Sequence, residues 1–170
     1  MKLFPGKVDA IAAEGARVLL TAKAIEAEPP KKAELAISAE LKRYLAEERA
    51  VYDEAQNVLD RTGKSGSELH RVRRLVAEEH GIGIGDETID HLLDRTVEML
   101  LEDDGIDEVF VADGELRRLL APVFRKHVNV DDGLDAEIRT QMRHMTEGSA
   151  QWDVEYARIG ERIRRKRGLI

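Results

Sequence analysis

Residues 80 to 90 read HGIGIGDETID, and the glycines at alternate positions decide between two folds. In a nucleotide-binding protein a glycine-rich loop follows a strand and cradles phosphate, whereas a glycine joint only connects two helices. The preceding LHRVRRLVAEEH (69–80) is helical in pattern, and the loop matches neither GxGxxG nor a P-loop. We therefore predict a joint, in which left-handed Gly81 ends one helix and Asp86 caps the next. An anion-binding loop is the less favoured alternative.

The helix after this joint has the clearest apolar stripe in the chain. Residues repeating every three or four positions lie on one face of a helix. The stripe consists of Ile89, Leu92, Leu93, Thr96, Val97, Leu100 and Leu101. Acidic residues occupy the other side, so we predict that this helix packs into the core.

The same periodicity predicts helices on both sides of the joint. Residues 7–27 form an amphipathic helix that Pro29 and Pro30 should end, because proline lacks the amide donor. Residues 31–61 contain no glycine or proline and predict a helix of ~45 Å at about 1.5 Å per residue. That length exceeds a small core, so we expect part of this helix to project.

Shorter helices complete the predicted all-α fold. The expected signals are a capping box of Ser65 and Glu68, an N-cap at Asp113, a kink at Pro122, a stop at Gly148 and a restart at Ser149. One helix is predicted over residues 132–146. Between the helices, IDEVFVA (106–112) is an apolar connector that an extended backbone would suit.

Length and composition indicate a single domain in a reducing compartment. A chain of 170 residues buries a real core as one compact unit or as two small halves. Cysteine is absent, which excludes disulfides and thiolate metal sites. Residues 1–15 lack the apolar stretch of a secretory signal, and no run of ~20 apolar residues follows. We predict a cytoplasmic protein with no membrane association.

Charge is segregated along the chain. Residues 81–115 carry twelve acids and one base, whereas residues 162–170 carry five bases and no acid. The acidic segment could bind cations weakly, although solvated helix faces explain it as well. Few apolar residues lie beyond Ile163, so we predict that the basic tail is separable from folding. The alternative is that the tail folds onto the acidic segment as an internal clasp.

The sequence contains none of the common catalytic or metal-binding patterns. The five histidines form no Glu-x-x-His or HExxH motif, glycine spacing fits no EF-hand, and GxSxG is missing. We therefore predict no catalytic residue, no cofactor and no metal ligand. A protein without enzymatic activity is the expectation.

Displacing the chain by 81 residues aligns its two parts. Val8 then matches Ile89, and Leu19 matches Leu100. The shared order of helix, connector, helix, glycine stop and serine restart predicts an internal repeat of about 7–63 and 88–148. Two such halves would pack with approximate twofold symmetry.

Four segments together resemble a known bacterial family, called domain of unknown function 507. They are LFPGKV (3–8), AEEHGIGIGDETID (77–90), ADGELRRLL (112–120) and EGSAQWDVEYARIGERIRRKRGL (147–169). The resemblance implies an all-helical fold with an antiparallel four-helix base, two helical arms and internal pseudo-twofold symmetry. It supplies no activity, so no functional residue is carried over.

Two hypotheses for function follow. The first is a non-catalytic interaction or scaffolding protein that docks an unidentified protein partner, with Tyr44 and Tyr52 on one helical face. The second is a nucleic-acid-binding protein that uses the basic segments 70–74 and 162–167. The candidate bases are Arg71, Arg74, Arg164, Arg165, Lys166 and Arg167. A net charge of −7 argues against non-specific phosphate binding.

Overall fold

The computed structural model of the chain is predominantly helical and describes residues 1–63, 66–128, 133–145 and 150–170. The helices are α1 (Val8–Thr21), α2 (Lys31–Thr62), α3 (Leu69–Glu79), α4 (Thr88–Glu102), α5 (Asp113–Val128), α6 (Leu134–Gln141) and α7 (Ala150–Lys166). Short 3₁₀ turns precede α1, α3 and α4 at Pro5–Lys7, Gly66–Glu68 and Gly85–Glu87. The predicted signals at Ser65, Gly148 and Ser149 lie outside the described residues. Within those residues, no helix has the length and apolar character to cross a membrane.

Four helices share the largest apolar core. Helix α1 packs against α2 and α5, and α4 packs against α5 and α2. The predicted stripe of α4 is confirmed: Ile89, Leu92, Leu93, Thr96, Val97 and Leu100 are buried. Leu101 is the exception, because it lies on the solvent side with 50% of its surface exposed.

Helix α2 extends through two cores. It has 32 residues, in agreement with the prediction for 31–61. Ile37 and Leu41 belong to the main core, while Val51 and Leu59 pack with α3 in a second apolar cluster. A third cluster joins α6 and α7 to the amino-terminal segment.

The first helix ends earlier than predicted. Helix α1 stops at Thr21, Lys23 adopts a left-handed φ of 54°, and the chain enters strand β1 (Ile25–Glu26). Strand β1 pairs antiparallel with β2 (Glu108–Val109), so the apolar connector is extended as expected. A strand of two residues is too short to show a period of two, which is why the helical pattern appeared to continue.

Proline and aspartate also take different positions from those predicted. Pro30 is the N-cap of α2, so the prolines begin the second helix and do not end the first. Asp86 lies inside a 3₁₀ turn whose extended N-cap is Ile84, and it makes no capping hydrogen bond. Asp113 is the first residue of α5, and the carbonyl of Ala112 accepts the first amides.

The basic tail belongs to the fold, so the expectation that it is separable was wrong. Leu169 is fully buried in the cluster that contains Phe4. The amide of Gly6 donates to the Leu169 carbonyl at 3.0 Å, and Lys7 Nζ donates to the Arg167 carbonyl at 3.4 Å. The clasp onto residues 81–115 was also wrong, because Arg167 instead pairs with Glu137 of α6.

Adjacent leucines of α4 provide a test of the helical phase. Replacing Leu100, which is 1% exposed, with alanine should lower the free energy of unfolding by about 2–5 kcal/mol through cavity formation. The same replacement at half-exposed Leu101 should cost much less. Denaturant titration of both variants measures the difference, and equal losses would show that the phase of α4 is wrong.

The last two residues provide a similar test of the tail. Leu169→Ala should destabilise the protein by about 2–5 kcal/mol, because Leu169 is buried, whereas Ile170→Ala should have little effect at 53% exposure. Thermal and denaturant unfolding of the two variants would report this. Identical stability of both variants and the parent would show that the tail does not support the fold.

Candidate functional site

Tyr44 is not part of a surface, which corrects the predicted pairing with Tyr52. Its side chain is 1% exposed, and its hydroxyl donates to the Gly83 carbonyl at 3.1 Å. Burial raises the pKa of Tyr44 to about 12. Tyr52 is 38% exposed, and the Arg49 guanidinium lies 5.5 Å from the centre of its ring. Only Tyr52 of this pair is available to a partner.

The predicted basic residues of 70–74 lie on α3. Arg71 and Arg74 are exposed, and Arg74 makes a 3.4 Å ion pair with Glu78. Arg73 points inward and pairs with Glu48 of α2 at 2.6 Å. The middle arginine of this segment therefore joins two helices.

The predicted basic residues of 162–167 lie at the end of α7. Arg165 and Lys166 are exposed, and Arg164 is half-buried. Arg165 pairs with Glu161 at 2.6 Å, and Arg167 pairs with Glu137. Carboxylates of the chain itself thus neutralise part of the basic charge.

An ionic cluster between α2 and α4 was not predicted. Arg95 donates to Glu40 at 2.6 Å and makes two hydrogen bonds to Glu47. These bonds lower the pKa of Glu47 and raise the pKa of Arg95.

A second ionic cluster joins α1 to α5 through one acid and two bases. Glu14 accepts hydrogen bonds from His127 at 2.8 Å and from Lys126 at 2.9 Å. Sequence spacing gives no signal for pairs separated by so many residues.

The glycine joint is confirmed as a helix connection, and its central glycine makes a close contact. Gly81 and Gly85 adopt left-handed φ values of 66° and 64°. Gly83 lies against α4 so closely that an added Cβ would stand 2.5 Å from the His91 Cβ. The His91 ring also lies 5.9 Å from the Tyr44 ring. The loop is thus held between α2 and α4.

A groove between α4 and α5 exposes apolar surface. It has a volume of about 400 Å³, and Leu101 and Val97 lie in it beside Gly114. Its lining also includes Asp94, Glu98, Asp113 and Arg117. We call this feature the α4/α5 groove.

A second groove lies between α1 and α2. It has a volume of about 300 Å³ and is lined by Ala13, Ala16, Arg17, Leu20, Thr21, Pro30, Lys31 and Glu34. Its only carboxylate, Glu34, already pairs with Lys31 at 2.5 Å. With Arg17 and Lys31 against one carboxylate, this α1/α2 groove is basic, whereas the α4/α5 groove is acidic.

A third cavity of about 420 Å³ lies between α2, α3 and the glycine joint. Its walls carry both charges, and two of its arginines are already paired with Glu48 and Glu78. Across the described ranges, no group of three or more His, Asp or Glu side chains has the geometry of a metal site. We take the α4/α5 groove as the candidate site, because it contains Leu101, a large apolar side chain that is 50% exposed.

Replacing Gly83 tests the close contact in the joint. Gly83→Ala should lower the free energy of unfolding by about 1–3 kcal/mol, because the new methyl group overlaps His91. Gly114→Ala is the matched control, since its methyl group meets open space. Unfolding curves that are equally displaced for both variants would contradict the contact.

His91 should make stability depend on pH. Burial, then the charge of Arg95, lowers the pKa of His91, while Glu47, Asp94 and Glu40 oppose the shift. Its stabilising contribution is therefore complete above the unfolded pKa of about 6.5 and declines as pH falls towards the lowered folded pKa. The free energy of unfolding, measured against pH, should show this decline.

Two glutamine variants separate this effect from other titrations. His91→Gln should remove the part of the decline that begins at about pH 6.5, whatever its effect on overall stability, while the loss from carboxylates with lowered pKa values remains at more acidic pH. His70→Gln, at an exposed position of α3, should retain it. A decline that still begins at about pH 6.5 in His91→Gln would assign this pH dependence to another group.

Comparison with known proteins places the whole chain in one family. No curated protein matches the sequence. The model of the family described as "protein of unknown function (DUF507)" matches residues 1–169, which is nearly the full length. This match agrees with the resemblance found in the four sequence segments. The chain belongs to the DUF507 family.

Proposed function

We propose that this protein is a non-catalytic interaction or scaffolding protein of the cytoplasm, which docks a protein partner on its helical surface. The observation that carries the proposal is the α4/α5 groove, where half-exposed Leu101 lies beside fully buried Leu100. An exposed leucine set in a groove, with Val97 buried at its base, offers apolar contact to a partner. Val97 and Leu100, which lie beneath this groove, are buried in the main core, so the surface is held in place for a partner.

The finer architecture in this proposal is a four-helix base with two helical arms and a pseudo-twofold axis. A displacement of 81 residues carries α1 onto α4 almost end to end. The helix contacts support an exchange of the two halves. Helix α1 touches α2 and α5, and α4 touches α5 and α2, so each contact has an equivalent when the halves are exchanged. Strands β1 and β2, which lie in the two corresponding connectors, pair antiparallel, as a twofold axis between them requires.

The proposed arms are the parts of each half beyond the shared core. In the first half the arm consists of the second part of α2 and α3, which have their own apolar cluster. In the second half it consists of α6 and α7, with a further cluster. Small clusters separate from the main core would let each arm present its outer face to a partner.

Nucleic-acid binding through residues 70–74 and 162–167 is the alternative. Exposed Arg71, Arg165 and Lys166 favour it. The pairing of Arg73 with Glu48 and of Arg167 with Glu137 weakens it, because each pair removes a cation from phosphate contact. A salt-dependent gel shift on DNA and RNA tests this alternative directly.

Affinity capture from native cytoplasm tests the main proposal. The tagged full-length protein should recover a defined protein at a fixed stoichiometry, and nuclease treatment should not release it. Cross-linking before lysis preserves weak complexes. Recovery that depends entirely on nucleic acid, or no recovery above an untagged control, would overturn the proposal of a protein partner.

A further inference from the structure

We infer that the occupant of the α4/α5 groove is a basic amphipathic helix of a partner protein. This inference rests on the proposed interaction function and specifies its site and the chemistry of its partner. The apolar face of the partner helix would lie on Leu101 and Val97, and its Lys or Arg side chains would meet Glu98 and Asp113.

The shape of the groove fits a helix. Its α4 wall consists of Asp94, Val97, Glu98 and Leu101, which share one face over about two turns, or ~10 Å. Gly114, in the first turn of α5, lowers the opposite wall because it has no side chain. An added Cβ there would meet nothing within 4 Å. A two-turn groove with a leucine in it matches the way amphipathic helices dock through positions i, i+3, i+4 and i+7.

The charge of the groove selects a basic partner. Its one cation, Arg117, is already bound by Asp90 at 2.7 Å and by Asp94. Glu98 and Asp113 are exposed and, among the described residues, have no cationic partner. These two carboxylates lie beside exposed Leu101. They would therefore complement a partner helix in which Lys or Arg flanks a leucine. They would repel the phosphates of a nucleic acid, so that class of ligand does not fit this groove.

The α1/α2 groove serves as an internal comparison. A displacement of 81 residues places Ala13, Ala16, Arg17 and Leu20 at the positions of Asp94, Val97, Glu98 and Leu101. Both grooves therefore have the same helical wall. The charge next to the leucine is reversed, because Arg17 takes the place of Glu98. A basic helix should thus select one groove of two that are similar in shape.

A designed peptide provides the probe. It would be a fluorescent 14-residue helix with leucines on one face and lysines on the other, added to the purified full-length protein and followed by anisotropy. Binding should weaken as salt is raised. Leu101→Ser should weaken it by about tenfold, the equivalent of about 1.4 kcal/mol. Gly114→Leu, which fills the groove without changing its charge, should weaken it to a similar extent.

Charge variants and controls complete the test. The double variant Glu98→Lys, Asp113→Lys should weaken binding and reduce its dependence on salt. Leu35→Ser changes a leucine that is 59% exposed outside the α4/α5 groove, and Arg17→Ala changes the other groove. Both should bind the peptide like the parent. Circular dichroism confirms that each variant is folded before it is compared.

Four results would overturn the inference. The first is unchanged binding in both Leu101→Ser and Gly114→Leu. The second is equal binding of a peptide in which glutamate replaces every lysine. The third is a homo-oligomer, seen by sedimentation, that Leu101→Ser dissociates, because the groove would then hold a second copy. A native protein partner retained by Leu101→Ser and Gly114→Leu would overturn the inference while leaving the interaction function intact.

Discussion

The contact of the glycine joint with α2 and α4 is the constraint on which the arrangement of this protein depends. Gly83 touches His91 with its backbone and accepts a hydrogen bond from Tyr44, so one residue connects the loop to both helices. A side chain at this position would separate them. Because α3 and α4 both pack on α2, the path of the joint determines where α3 ends and where α4 begins. The main core and the α2–α3 cluster are therefore linked through this loop.

Ion pairs reinforce the packing of the central helices. Arg95 connects α4 to two glutamates of α2, and Glu14 connects α1 to two cations of α5. Their net contribution to stability is small, because desolvation offsets much of the Coulomb energy of partly buried pairs. Asp90 and Asp94 of α4 pair with Arg117 of α5, whereas exposed Glu98 has no cationic partner among the described residues. The same helix thus divides its charges between internal support and the surface that we propose for docking.

Much of the helical fold could be predicted from the sequence, whereas most of the candidate site could not. The stripe of α4 and the length of α2 follow from periodicity, and both are confirmed. The predicted pair Tyr44 and Tyr52 was wrong because spacing along a helix locates a face without showing what covers it. The α4/α5 groove combines α4 residues with Asp113, Gly114 and Arg117 of α5. No local sequence pattern predicts this groove, since its two walls come together only when α4 and α5 pack.

The sequence by itself determined which segments are helical and where the chain turns, because apolar spacing, glycine and proline act within a few residues. Tertiary structure alone decided the accessibility of each side chain. Leu101 continues the stripe of α4 yet lies in solvent, and Leu169 follows four charged residues yet is buried against the amino-terminal segment. The physical reason is that burial depends on neighbours distant in the chain, and these are fixed only when the helices pack together.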